Sequence, residues 1–224
     1  MKTRVLVTSL LMASSVSIVH AEGSLGSEKQ KFSYAVGVQI GQDLKRNGMD
    51  IDADAVAMAI DDAMEGKKPQ LTMEEMQAIF SDYQKKEVAK KELAGSANKA
   101  EGEAFLAENS GKEGVTTLPS GLQYKVLTVG KGKQPTAEDT VSVHYRGTLI
   151  NGTEFDSSYQ RGEPATFPVN GVISGWTEAL QLMKEGAKWQ LFIPSDLAYG
   201  PRGAGGDIGP HSMLQFDVEL LSVK

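Results

Sequence analysis

Along this chain the apolar positions change period. Up to about residue 83 they recur three and four apart, as in amphipathic helices; beyond about residue 114 they alternate, as in half-buried strands. Ser27-Glu28-Lys29-Gln30 is an S-x-x-Q capping box opening a helix to about Asn47, with Gly48 as its stop. On it Gly37 and Gly41 lie four apart and permit close approach of another backbone. A second helix is expected over Ala53 to Met64, ended by Gly66 and Pro69. Asp50, Asp52 and Asp54 resemble the opening of a calcium loop. Its sixth position is Ala55 and its twelfth Asp61, so they are read as carboxylates at the helix's positive end. Thr72 with Glu75 is another capping box, and Met76, Ile79, Phe80 and Tyr83 form a stripe behind it. From Gln84 to Glu103 the pattern dissolves into lysine, glutamate and alanine, a solvated face. Gly95-Ser96 weakens the middle by roughly 1 kcal/mol, which allows a bend. Helical from Met73 to Asn109, this segment is a rod of about 55 Å that holds two bodies apart.

In the second half, strands are expected over Leu122–Val129, Thr140–Ile150, Thr166–Val169, Lys188–Ile193 and Met213–Val223. Leu214, Phe216, Val218 and Leu220 share one face, as do Val141, Val143 and Tyr145, which turns His144 outward. Asn151-Gly152 is a hairpin turn signal, preferred over the overlapping glycosylation sequon. One helix interrupts the strands. In Val172 to Gly186, Ser174 is the expected N-cap, Trp176, Ala179, Leu180 and Met183 make an apolar stripe, and Gly186 supplies the stop. A helix of nine or ten residues needs a partner surface. Laid on a curved sheet, it makes an apolar basin floored by the indole.

Composition narrows the chemistry. Lys2 and Arg4 precede the uncharged, mostly apolar run Val5 to Val19, and Val19-His20-Ala21 is a small-residue cleavage site, so residues 1–21 read as a secretory signal. The chain has no cysteine, which rules out disulfides, thiolate nucleophiles and zinc–thiolate sites. Its formal net charge is −6 and no Lys/Arg block stands on one face, which argues against nucleic acid or an anionic membrane as partner. Five of the nine methionines lie between Met49 and Met76; such faces are adaptable contact surfaces, and a helical homodimer through residues 22–83 is expected. Core methionines of a monomer are the alternative.

Beyond the signal only His144 and His211 remain as histidines, and no G-x-S-x-G elbow occurs, so a hydrolase triad and a metal site are both poorly supported. The glycine-rich segment Tyr199 to Pro210 leads into a strand rather than a helix, so it reads as a flap beside the basin and not as a phosphate cradle. What remains is the basin: Tyr145, Phe155, Val172, Ile173, Trp176, Tyr199, Ile208 and Phe216, with the Asp156 carboxylate. From composition alone these are equally well simple core residues.

The segments VSVHYRGTLINGTEFDSSYQRGEPATF, VISGWTEALQLMKEG, PSDLAYG and LQFDVELL closely resemble the FKBP-type peptidyl-prolyl isomerases over roughly residues 115–224. The capped helices, the long rod and the LPSGLQYKVL junction resemble the Mip-like (macrophage infectivity potentiator) branch. The resemblance implies an α+β chain. It would comprise a helical dimerisation domain (22–83), a connecting helix (84–113) and an isomerase domain (114–224) whose five- to six-stranded antiparallel sheet wraps the Trp176 helix. It implies a proline pocket with Trp176 as floor, Tyr145, Phe155, Val172, Ile173, Tyr199 and Phe216 around it, and Asp156 and Tyr199 as catalytic polar groups. Arg161 would hold Asp156, with Phe167 and Ile208 also in contact with substrate. Two departures stand out: Ala165 where many members carry a wall aromatic, with Phe167 two positions on, and Ala204 where some carry a flap histidine. The implied activity is cis–trans isomerisation of X-Pro bonds in exported proteins, without cofactor or metal, with chaperone activity from the dimer cleft. Unfolded or proline-containing chains are the implied partners and macrolides such as rapamycin the pocket ligands. The implied location is the periplasm, or the outer membrane or cell surface. The rivals are a non-enzymatic periplasmic chaperone and a module that binds proline peptides without turnover.

Overall fold

The computed structural model describes residues 25–224; the signal segment expected over residues 1–21 lies outside them. The chain divides into two compact units between Lys45 and Arg46. In the first, α1 (Glu28–Arg46) is capped as expected: Ser27 Oγ accepts from the Gln30 amide at 3.2 Å, and Gln30 Oε1 accepts from the Ser27 amide at 3.0 Å. None of its residues is buried.

The second unit begins with α2 (Ala53–Met64), whose N-cap is Asp52, accepting from the amides of Asp54 and Ala55 at 3.0 Å each. Asp52 and Asp54 thus stand at the positive end of the helix, as expected, with Asp52 also its cap. α3 (Met73–Asn109) runs 37 residues without a break. The reciprocal Thr72–Glu75 cap opens it, at 2.7 Å and 3.2 Å. The helix continues through Gly95-Ser96, where a bend was allowed.

Seven strands form one antiparallel sheet: β1 (Val115–Thr117), β2 (Gln123–Thr128), β3 (Thr140–Leu149), β4 (Glu154–Ser157), β5 (Ala165–Pro168), β6 (Lys188–Ile193) and β7 (Leu214–Val223). Their order is β1-β2-β6-β7-β3-β4, with β5 paired to the first half of β3 beside the stretch that β4 covers. Five to six strands were expected; β1 and β4 are too short to show a period of their own. The Asn151-Gly152 turn joins β3 to β4, with Gly152 at φ 85 and its amide bonded to Leu149 O at 2.9 Å. Between β4 and β5 lies the single turn α4 (Ser158–Arg161).

The helix laid on the sheet, α5 (Ser174–Leu180), is shorter than its stripe suggests. Ser174 is its first residue rather than its cap: Ile173 O accepts from Trp176 N at 2.9 Å and Thr177 N at 3.1 Å, and no side chain caps it. Met183 is fully buried from the turn that follows, and Gly186, at φ 84, bends the entry to β6 instead of ending the helix. Trp176, Ala179, Leu180 and Met183 pack with Val141, Val143, Leu191, Leu214, Val218 and Leu220 in one core.

At one end of the strands α3 covers the opposite face of the sheet along the line of Gly95, Asn98 and Gly102, while most of the rest of Gln84 to Glu103 is exposed, as expected. Gly95 and Gly102 are buried on α3, and Phe105 lies 5.8 Å from Phe192 across ring centroids. Leu191, Phe192 and Ile193 are therefore buried in succession, without alternation, because both faces of β6 are covered there. At the end of α3 the buried Asn109 donates to Gln123 Oε1 at 2.9 Å, and Gln123 Nε2 donates to Leu106 O at 2.8 Å.

Candidate active site

On its inner face the sheet leaves a cavity of about 630 Å³, with Trp176 as its floor. The indole is placed by α5, which Thr177 ties to the preceding turn through Oγ1–Val169 O at 2.8 Å. Three rings meet it edge to face: Phe216 at 5.2 Å and 82°, Tyr145 at 5.3 Å and 89°, and Phe167 at 6.0 Å and 87°. Such pairs prefer this geometry because a ring's positive edge faces a negative π surface. The Trp176 Nε1 is buried with no hydrogen-bond partner among the described residues, so the indole is held by α5 and by ring packing. Phe155 stands 5.5 Å from Phe216 at 86°. Both rings cross β3 at Gly147, where a Cβ would stand 2.7 Å from atoms of each, so only glycine lets them close.

Val172, Ile173, Tyr199 and Ile208 also line the cavity, so every apolar residue expected there is brought together. Phe167, from β5, and Ala204 line the cavity, whereas Ala165 does not. Gly171, Gly205, Gly206 and Asp207 join the lining; small flap residues carry no periodic signal that would have singled them out.

The polar wall is Asp156, placed by β4. Its Oδ1 accepts from Arg161 Nη1 at 2.6 Å, and its Oδ2 accepts from the Tyr145 hydroxyl. Arg161 Nη2 also donates to the Tyr145 oxygen at 2.8 Å, and the guanidinium lies 5.4 Å from the Tyr145 ring centre. Burial pushes the Asp156 carboxyl up, but the hydrogen bonds from Tyr145 and Arg161 together outweigh it and hold the group below the ordinary carboxylate range. Burial and the Asp156 anion push the Tyr145 hydroxyl up, so it stays a proton donor. Tyr199 is 41% exposed at the mouth, and its hydroxyl has no hydrogen-bond partner among the described residues. His144 faces away, stacked on Tyr159 at 4.8 Å. The arrangement is an aromatic box with one fixed anion and one free hydroxyl at its edge.

Family models match over two stretches. Residues 29–126 match the domain amino-terminal to FKBP-type peptidyl-prolyl isomerase, and residues 131–221 match FKBP-type peptidyl-prolyl cis-trans isomerase itself. The outer membrane protein MIP of Legionella longbeachae is 47% identical, covering 98% of this chain and 97% of that one. The peptidyl-prolyl cis-trans isomerase Mip of Coxiella burnetii is 46% identical over 92% and 91%. Among solved structures, FkpA from Escherichia coli superposes with a TM-score of 0.63 at 39% identity, covering 90% of this chain and 99% of that one.

Proposed function

The chain belongs to the FKBP-type peptidyl-prolyl cis-trans isomerases, and on that premise we propose that the Trp176 cavity is where a substrate proline is seated and its bond turned. The observation that carries this assignment is the box of edge-on rings around one indole, with the Asp156–Arg161–Tyr145 cluster at its edge. Rotation about X-Pro is slow because the amide must give up resonance over a barrier of roughly 18–20 kcal/mol. The twisted amide is less polar than the planar one. An apolar, water-excluding wall therefore hosts the transition state better than the ground state, which is catalysis by differential binding.

In this reading the proline ring lies on Trp176, between Tyr145, Phe155, Phe167 and Phe216, with Val172, Ile173 and Ile208 closing the sides. The Tyr199 hydroxyl donates to a substrate carbonyl. Asp156, kept ionised and aimed by Arg161 and Tyr145, orients the rotating amide. Each polar contact supplies about 1–2 kcal/mol, so its loss slows turnover roughly 5- to 30-fold. The test is isomerisation of a short X-Pro peptide. Tyr199→Phe and Asp156→Ala should lower kcat more than they weaken peptide binding, and rapamycin should compete with the peptide. Full activity in both variants would remove these two residues from the mechanism.

We assign residues 22–83 to a dimerisation region, 84–113 to the connection and 114–224 to the isomerase domain. Apolar side chains at high exposure support the first assignment: Phe32 is 72% and Phe80 71% exposed in the single chain. The same side chains favour a second activity, holding unfolded chains. That activity should survive Asp156→Ala and be lost when residues 22–83 are deleted, in an assay of aggregation of a denatured client. The expected signal over residues 1–21 supports export to the periplasm or cell surface. No helix of the described residues is long and apolar enough to cross a membrane.

A further inference from the structure

The flap from Tyr199 to Pro210 supplies Tyr199, Ala204 and Ile208 to the cavity, yet little of its own structure holds it. It contains five glycines, Gly200, Gly203, Gly205, Gly206 and Gly209, each of which widens the range of conformations open to it. Its internal bonds are the Ala204–Ile208 pair, at 2.9 Å and 3.2 Å, a 3.4 Å bond from Gly203 N to Gly200 O, and the tie between its ends, His211 N to Gly200 O at 2.8 Å. At that tie the backbone is unusual: His211 takes φ 54, a left-handed conformation rare outside glycine, and its Nδ1 is buried with no hydrogen-bond partner among the described residues.

What lies against this base is α3. Gly95 and Gly102 are seven residues apart, two turns, and so share a face. A Cβ on Gly95 would stand 3.2 Å from Pro210 Cβ and His211 Cδ2, and one on Gly102 3.0 Å from Met213 Cβ. Between them Asn98 reaches across, its Nδ2 donating to Pro210 O at 2.8 Å and to Ser212 Oγ at 3.3 Å. A Cβ on Gly209 would lie 3.0 Å from the same Nδ2.

We propose that Asn98 is a positioning residue for the isomerase pocket, fixing through Pro210 the flap that carries Tyr199 and Ile208. The proposal rests on the assignment of the Trp176 cavity as that pocket. Without the anchor a glycine-rich loop spreads over more conformations, and apparent affinity falls with the fraction that can receive ligand. The Trp176 floor and the Asp156 cluster are untouched, and substrate is held only by the flap conformation that also sets Tyr199 in place, so the bond rotates as before once substrate is seated. The signature is therefore a raised KM at constant kcat.

The test is isomerisation kinetics of an X-Pro peptide and rapamycin binding, on the full chain, for Asn98→Ala, Asn98→Asp and the neighbouring exposed Lys99→Ala. Asn98→Ala should raise KM and the rapamycin Kd about 3- to 10-fold, the worth of one hydrogen bond, and leave kcat within a factor of two. Asn98→Asp, of the same shape but unable to donate, should do no better; Lys99→Ala should match wild type. Unchanged KM in Asn98→Ala, recovery in Asn98→Asp, or a fall in kcat alone would overturn the proposal. If Asn98→Ala does not fold, Gly95→Ala, whose methyl would push Pro210 away from Asn98, must show the same KM rise or the proposal falls. Failure of rapamycin to compete with the peptide in wild type would overturn the cavity assignment instead.

Discussion

Asp156 shows how a few side chains set the chemistry of the rim. Its carboxyl is depressed by Tyr145 and Arg161 against burial, so the ion cluster is complete above the carboxyl's unfolded value of about 3.9 and is lost as pH falls through the lower folded value. Peptide turnover should accordingly be flat from neutral pH down to about 5. Arg161→Gln removes one of the two outweighing bonds, so the acid limb of its kcat/KM profile should move to higher pH; an unmoved limb would mean Arg161 does not govern the carboxylate. The buried Asn109–Gln123 pair makes a second residue-scale prediction. Asn109→Ala strands Gln123 Oε1 away from water, and urea unfolding should show about 1–3 kcal/mol of lost stability. The Arg161–Asp156 pair was expected from the resemblance, but the Tyr145–Asp156 and Asn109–Gln123 bonds were not legible in the sequence, because each joins side chains from different elements. Asp156 and Tyr145 sit on β4 and β3, and only the register that sets Asp156 beside Gly147 brings their polar atoms together.

Among the elements, the helices were readable wherever their signals are local. Ser27 with Gln30, Asp52, and Thr72 with Glu75 each bond within three residues, so α1, α2 and α3 begin where the caps stand. β3 and β7 were readable because each alternates over most of its ten residues, long enough to outlast chance. α5 was overread because burial of Met183 from a turn imitates another helical turn. The docking of α3 was hidden because Gly95 and Gly102, which weaken a helix by propensity, are here the notches that let it seat. The same logic applies at the cavity. Gly147→Ala puts a methyl 2.7 Å from the Phe155 and Phe216 rings, so it should cost about 1–3 kcal/mol of stability and sharply weaken rapamycin binding, by urea melt and titration.

For the whole molecule, the prediction concerns assembly. The face that α3 presents before Gly95, with Ile79 at 52% and Phe80 at 71% exposed, is more apolar surface than a soluble monomer leaves uncovered without reason. Light scattering should give a mass of two chains, and Ile79→Glu with Phe80→Glu should reduce it to one while turnover of a short peptide stays unchanged. A wild-type mass of one chain would end the dimer assignment. The separability follows from distance along α3, since those residues precede Gly95 by four turns.

Because α3 is unbroken, its bare apolar face and its notched face belong to one screw. Each residue inserted between Tyr83 and Gly95 would turn one face against the other by about 100° and advance it by about 1.5 Å, whereas seven would nearly restore the angle. The length of this segment is thus a phase setting as much as a spacing. Lineages free to lengthen or shorten it should do so in near-whole turns, sevens or elevens, and a single inserted alanine should misalign the two faces more than a seven-residue extension does.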